Sequence, residues 1–331
     1  MIDITALCQN VNSIGITGHT NPDGDCVGSC LGLWQFLKKK FPDKKIKVLL
    51  EKPLDMFAFI NGADEILYMD EDCVLAEEWQ DYSFDVCFVL DTVIERSGKA
   101  QSFIEKAKKV VNIDHHISNE GQGDISLVCP KASACAEVIY DLLSQKVEDK
   151  ALIDKELAQT LYIGIIHDCG VMQYSNTSPK TLRIVADLVE YGFDFPKLID
   201  ETFYERGEVQ SKATGKALYE AQSYFDGRVQ LCLFSKEEMQ ALHASKKDFS
   251  GIVNQLRYVK GAWVAVFGYE ITDGNYKCSL RSGGQINVSK LCAEFGGGGH
   301  VRASGCNIEG TKESVTEIMV SRLSKEFINL E

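Results

Sequence analysis

The sequence predicts an α/β protein with two domains, an N-terminal one built on a parallel sheet and a smaller C-terminal α+β one. Three observations lead there. A chain of 331 residues exceeds the size that one core usually serves. In the first part, short apolar strand-like runs alternate with helical patterns, as in parallel sheets. From about residue 223 that alternation gives way to hairpins, marked by the Asp-Gly turns in Tyr224-Phe225-Asp226-Gly227-Arg228 and Ile271-Thr272-Asp273-Gly274-Asn275. The expected division is 1–192 for the first domain, a helical linker over 193–222, and 223–331 for the second.

Hydrophobic content of 45% and charged content of 25% are those of an ordinary globular protein, which excludes a disordered chain. No apolar stretch approaches the roughly 20 residues that span a bilayer, and the N-terminus lacks a basic region followed by an apolar core. A soluble, cytoplasmic protein without a membrane partner is expected. The twelve cysteines include no C-x-x-C pair, and many lie in apolar runs such as Val86-Cys87-Phe88, which suits reduced thiols. A net charge of −13 argues against a protein that tracks long nucleic acid, because phosphate neutralisation needs a basic face. Any phosphates handled should be few, with metal ions carrying much of the positive charge.

Along the chain, Ser13 to Gly18 reads as a buried strand running into His19-Thr20-Asn21-Pro22-Asp23-Gly24-Asp25, and Cys26 to Lys40 reads as a helix with Val27, Leu31, Trp34 and Leu37 on its apolar positions. Pro22 and Gly24 make a tight loop, so that His19, Asp23 and Asp25 can converge on one point. Asp25 alone would also suit a helix N-cap. Strands are expected at Lys45–Leu50, Glu65–Tyr68 and Asp85–Leu90. Asp91 follows the last of these, at the carboxyl end where parallel sheets gather their functional groups. A crossover helix over Ser97–Lys109 then leads to Val110, Val111 and the stretch Asn112-Ile113-Asp114-His115-His116. One acid and two imidazoles side by side need hydrogen bonds or a cation to offset lost hydration, and they read as half of a metal site.

A strand at Ile125–Val128 and a helix over Ser133–Ser144 follow. Another helix, Asp154–Ile166, delivers His167-Asp168-Cys169-Gly170, where Asp168 is a further candidate ligand. His167 is expected to point elsewhere, since adjacent helical residues do not share a face. Lys180–Tyr191 and Pro196–Glu220 read as helices. In the second domain, Ser279-Leu280-Arg281-Ser282 ends a strand, and a short helix over Val288–Phe295 leads into Gly296-Gly297-Gly298-Gly299-His300-Val301-Arg302-Ala303-Ser304-Gly305. Four glycines weaken any regular element by about 1 kcal/mol each, and close approach of backbone N–H groups to an anion would justify them. Arg281 and His300 flank the run with matching chemistry.

Taken together, the His19-x-x-Pro22-Asp23-x-Asp25 loop, Asp91, Asp114-His115-His116 and Asp168-x-Gly170 resemble the four motifs of DHH phosphoesterases. Gly296 to Gly305 resembles the signature of the DHH-associated C-terminal domain. The resemblance spans Ile14 to Cys306, and five blocks in order are more specific than any one of them. Cys26 and Cys169 depart from the small residue or Thr that such chains more often carry, and neither change removes a ligand.

The resemblance implies an active site in the cleft between a DHH domain and the smaller domain. His19, Asp23 and Asp91, with Asp168 as a further candidate, would hold one metal ion, and Asp25, Asp91, His115 and Asp168 a second. Asp91 would bridge them. The implied ion is Mn²⁺, with Mg²⁺ as the alternative, and two such ions about 4 Å apart activate water and stabilise a transferring phosphoryl group. His116 would stabilise charge or donate a proton, Asp114 would fix a histidine tautomer, and Arg281, Gly297, Gly298, Gly299 and His300 would hold the far end of the substrate. Within the family, a chain of this size is most similar to bacterial nanoRNases that also dephosphorylate pAp. A Mn²⁺-dependent 3′–5′ exoribonuclease on short RNA oligonucleotides, with pAp 3′-phosphatase activity and no affinity for long duplexes, is therefore expected, as a homodimer. A cyclic di-AMP or pApA phosphodiesterase is the alternative. Inorganic pyrophosphatase fits the glycine-histidine signature less well, and a regulator without turnover fits poorly with ligands intact at every position.

Overall fold

The structure is a computed structural model that describes residues 2–70 and 72–328. It divides into two compact units, up to Glu205 and from Arg206. The first begins with α1 (Ile4–Gln9), β1 (Ser13–Thr17), α2 (Gly24–Lys40), β2 (Lys45–Leu50) and β3 (Leu67–Tyr68). It continues through α3 (Glu77–Gln80), β4 (Val86–Leu90), α4 (Gln101–Lys106), β5 (Val110–Asp114) and β6 (Ile125–Val128). It ends with α5 (Cys135–Leu143), α6 (Val147–Lys150), α7 (Lys155–Asp168), α8 (Pro179–Val189), α9 (Phe195–Ile199) and a π-helical turn, Asp200–Tyr204.

The six strands pair in parallel in the order β3-β2-β1-β4-β5-β6. Strands β1 and β4, fully buried along their lengths, are therefore neighbours although far apart in sequence. The crossovers leave in opposite directions on either side of them, and ligand sites of open parallel sheets form at such a point. The loops after these two strands carry His19 and Asp91. One face of the sheet packs against α2, α5 and α7 through Val27, Leu31, Ile139, Leu161 and their neighbours; Leu49, Trp79, Phe84 and Phe103 form a smaller core with α3 and α4.

Two segments differ from expectation. The helix expected over Ser97–Lys109 is one 3₁₀ turn, Gly98–Ala100, followed by α4, because Gly98 takes a left-handed φ of 54° and closes against Thr20. The helix expected over Pro196–Glu220 is interrupted by the π turn and by Gly207, which caps α10 (Glu208–Glu220). The stretch 193–222 is accordingly shared out. Phe193 and Leu198 join the first unit's core, and Ala213 and Ala217 join the second's.

The second unit adds β7 (Gln222–Tyr224), β8 (Val229–Phe234), α11 (Lys236–Ala241), α12 (Ile252–Arg257), β9 (Val264–Thr272) and β10 (Asn275–Ser282). Then come α13 (Val288–Ala293), β11 (Gly298–His300), β12 (Ala303–Glu309) and α14 (Lys312–Ile328). Its sheet runs β11-β12-β10-β9-β8-β7, antiparallel except for β8 beside β9. Residues alternate between two cores, Leu231, Leu233 and Val266 facing α13 and α14, and Phe234 and Phe267 facing α10 and α12. All twelve cysteines are free, and all but Cys73 and Cys129 are buried. Among the described residues no helix is long and apolar enough to cross a membrane.

Helices α2 and α7 cross at close range, at Gly28 and Gly164. A Cβ at Gly28 would stand 2.8 Å from the Gly164 backbone and 2.9 Å from the Thr160 carbonyl. Gly28→Ala must push the helices apart and should cost about 1–3 kcal/mol, read as a lowered midpoint of thermal unfolding. An unchanged midpoint would show that the crossing is slack.

Candidate metal centre

The loop after β1 is built by helix capping. Asp23, rather than Asp25, caps α2, its Oδ1 accepting from the N–H groups of Asp25 and Cys26 at 3.0 and 3.1 Å. Asp25 instead reaches a second helix, and accepts from the N–H groups of Cys135 and Ala136 at 2.5 and 2.9 Å in the first turn of α5. The positive end of that helix compensates a carboxylate only 1% exposed. The turn itself comes from Asn21, with φ of 52°. Gly24 is needed for close approach, since a Cβ there would lie 2.3 Å from the His167 ring.

Asp91, 2% exposed, sits directly after β4 with φ of 59°, a left-handed conformation unusual for a residue with a side chain. Its two oxygens face two different groups. Oδ2 is 3.6 Å from His19 Nε2, which lies 3.7 Å from Asp23 Oδ1. Oδ1 is 3.4 Å from His115 Nε2, which lies 3.4 Å from Asp168 Oδ2 and 3.8 Å from Asp25 Oδ2. The structure thus gathers all six sequence-predicted ligands, as the groups His19, Asp23, Asp91 and Asp25, His115, Asp168. Asp91, Asp114, His115 and His116 form a third, overlapping group.

These residues fit divalent cations. Asp91 Oδ1 and His115 Nε2 are buried with no hydrogen-bond partner, which is costly unless a cation offsets it. The separations exceed a hydrogen bond yet suit two ligands of one ion with bonds of roughly 2.0–2.2 Å. Both histidines aim Nε2 inward because Nδ1 is occupied outside, donating to the Thr20 carbonyl at 2.8 Å in His19 and to the Ala132 carbonyl at 3.3 Å in His115. The mixed carboxylate and imidazole donors, with no thiolate among them, suit a divalent cation.

Electrostatics show the same frustration. Burial works against a charged His19, but Asp23 and Asp91 outweigh it and hold the ring up to about 12. His115 is likewise held up to about 10, burial being outweighed by Asp91, Asp25 and Asp168. Burial, then Asp91 and Asp23, push Asp168 up to about 6, and burial, then Asp91 and Asp168, raise Asp25.

His116 stands apart, with its side chain 45% exposed and Nδ1 donating to Asp114 Oδ1 at 2.8 Å. Asp114 accepts in addition from the N–H groups of His115 and His116 at 2.7 and 3.1 Å. Against the cost of burial, these contacts and Asn119 hold its carboxyl below the ordinary range. His167 lies outside the ligand groups. It is wedged edge-on between Phe57 and Phe203, Nε2 is 3.1 Å from Thr202 Oγ1, and burial lowers it to about 4.

Arg281, Gly297, Gly298, Gly299 and His300 lie in the second unit. Arg281 and His300 both pair with Ala303, one from β10 and one from β11, so all three share a sheet face. Two strand spacings set the outer pair roughly 10 Å apart, with only a methyl group between. Two of the glycines have packing reasons of their own. A Cβ at Gly297 would lie 2.2 Å from the Gly305 carbonyl, and one at Gly299, where φ is 139°, would lie 2.5 Å from that of Ala303. Gly298–His300 forms β11 and pairs with β12. Sequence reasoning missed Asn112 and Asn119 as site residues. Buried asparagines flanking the Asp-His-His stretch were the available signal.

A parallel sheet whose carboxyl edge gathers carboxylates and imidazoles around one shared aspartate has the donor set of a metallohydrolase centre. The family models agree, that of the DHH family N-terminal domain matching residues 13–165 and that of the DHHA1 domain residues 237–328. The chain belongs to the DHH family. It is similar to the bifunctional oligoribonuclease and PAP phosphatase NrnA of Thermus thermophilus, with 30% identity over 90% of this chain and 84% of the relative. The protein of the same name from Bacillus subtilis is 26% identical over 89% of both chains. Among solved structures, an exopolyphosphatase-related protein from Bacteroides fragilis superposes with a TM-score of 0.87, at 28% identity over 99% of this chain and 96% of the other. Exonuclease RecJ bound to manganese shares the fold at a TM-score of 0.55 and 12% identity, over 96% and 90% of the two chains.

Because the metal-free cluster holds protons on His19 and His115, and Asp168 takes one up near pH 6, cations must displace them. Titration calorimetry with Mn²⁺ should show proton release and an affinity that weakens as pH falls from 8 to 6. Affinity independent of pH would mean that these groups are not ligands.

Proposed function

We propose that this chain is a Mn²⁺-dependent hydrolase of short oligoribonucleotides, releasing mononucleotides from the 3′ end, and of the 3′-phosphate of pAp. The observation that carries the reading is Asp91, which presents one oxygen to each of two ligand groups. His19, Asp23 and Asp91 would hold one ion, and Asp25, Asp91, His115 and Asp168 the other. Bound there, the ions would neutralise phosphate charge and acidify water. The mixed donor set and the manganese in the RecJ structure support the choice of metal. The relatives named oligoribonuclease and PAP phosphatase support the substrate class.

The chain's own residues then divide the work. Asp114 holds the His116 Nδ1–H and raises the ring's pKa, so that the doubly protonated ring has an Nε2–H with which to donate to, or stabilise charge on, the leaving oxygen. Arg281 and His300 share one sheet face, where each can give a charge-assisted hydrogen bond to a remote phosphate. The net charge of −13 and this compact pair favour short substrates over long strands.

Turnover should be measured on pAp, dinucleotides to 10-mers and cyclic di-AMP, with bis-p-nitrophenyl phosphate as a small ester. Rates should be highest on the shortest oligonucleotides and pAp, vanish in EDTA and return with Mn²⁺. In Arg281→Ala and His300→Ala, kcat/KM for a dinucleotide should fall about ten- to a hundredfold, while the small ester and the bound Mn²⁺ change little. Preference for cyclic di-AMP would assign the site to cyclic dinucleotides, and full activity in metal-free protein would exclude the mechanism.

A further inference from the structure

Behind the metal cluster, two side-chain amides connect elements that the sequence separates. Asn112, fully buried on β5, donates through Nδ2 to the carbonyls of Val89 and Thr92 at 3.0 and 2.8 Å, on either side of Asp91. Asn119, 5% exposed, donates through Nδ2 to Asn112 Oδ1 at 2.9 Å and to Asp114 Oδ2 at 2.7 Å, while its Oδ1 accepts from the Gly121 N–H at 2.8 Å. Only one orientation of each amide satisfies these partners. Two carbonyls face Asn112 Nδ2, so Oδ1 must be the end that meets Asn119; the Gly121 N–H fixes Asn119 in the same way. An unbroken path thus runs from the left-handed turn at Asp91 to Asp114 Oδ2, whose other oxygen holds His116 Nδ1.

We propose that Asn112 and Asn119 are positioning residues of the hydrolytic site, a buried amide bridge that holds the Asp91 turn and the Asp114–His116 pair in register. Val89 and Thr92 bracket a residue in a sparsely populated backbone conformation, and such a conformation persists only where its surroundings impose it. The Asn112 amide supplies bonds on both sides of that residue. Asn119 supplies a side-chain donor to the Asp114 oxygen that faces away from His116, at 2.7 Å, so rotation of the carboxylate gives up the shortest bond of that amide, which otherwise has Asn112 Oδ1 at 2.9 Å and the Thr92 carbonyl at 3.4 Å. The consequence for chemistry rests on the reading of His116 as the group that meets the leaving oxygen. The consequence for the tautomer does not.

The test therefore has two arms. In metal-free protein with ¹⁵N-labelled histidine, the His116 Nδ1–H proton should give a resonance protected from solvent, and Asn119→Ala should accelerate its exchange at least about tenfold. An unchanged resonance overturns the bridge, whatever the enzyme hydrolyses. In the Mn²⁺-loaded enzyme, Asn119→Ala should lower kcat about ten- to a hundredfold with KM altered less than about twofold. Made in a His116→Ala background, the same change should cost clearly less than in the parent, because the part of Asn119 that acts through His116 has nothing left to position and only its bond to Asn112 behind the Asp91 turn remains. Equal losses in both backgrounds would mark Asn119 as merely structural and overturn the proposal. A His116→Ala variant as fast as the parent would sink the reading of His116, and the exchange measurement would then decide the bridge alone. Should Asn119→Ala fail to fold, Asn119→Ser takes its place in both arms, since its hydroxyl is too short to span Asn112 and Asp114.

Discussion

Three carboxylates, Asp25, Asp91 and Asp114, are each no more than 2% exposed at one edge of one sheet, and a buried carboxylate must be compensated. Much of the first unit supplies that compensation. Asp25 lies on the N-terminal turn of α5. Asp114 accepts two backbone N–H groups, the His116 ring and the Asn119 amide. For Asp91 Oδ1 the described residues supply no hydrogen bond, and the facing His115 Nε2 is equally bare. A bound cation would offset both, in place of the proton that His115 otherwise holds against Asp91.

Parallel topology is what makes such a gathering feasible. Each strand delivers its carboxyl end to the same edge, so residues from 19 to 168 meet without long excursions of the chain. The switch point between β1 and β4 opens the sheet where His19 and Asp91 stand. The helices behind are packed closely enough that glycine is required at positions 28 and 164. Rigidity of this kind matters, because ligands must be preorganised before the ions arrive.

Much of this was legible in the sequence. Apolar runs such as Val86–Leu90 marked the strands, and acids and imidazoles near strand ends and helix ends marked the candidate ligands. What the sequence hid is mostly relational. Nothing local says that Asp23 caps α2 while Asp25 caps α5, since that depends on which helix start lies across the sheet. The roles of Asn112 and Asn119 depend on β5 lying beside β4. The glycine run was legible as unusual, yet hairpin packing at Gly297 and Gly299 answers part of what anion binding alone was asked to explain. Gly98 and Gly207 broke helices that periodicity alone would have continued.

The most direct measurement is anomalous diffraction from crystals of the full chain grown with Mn²⁺. Two peaks are expected, one between Asp91 Oδ2, His19 and Asp23 and the other between Asp91 Oδ1, His115, Asp25 and Asp168. A map with no peak beside Asp91, or with manganese held only by residues outside these two groups, would contradict a shared aspartate as the centre of the site.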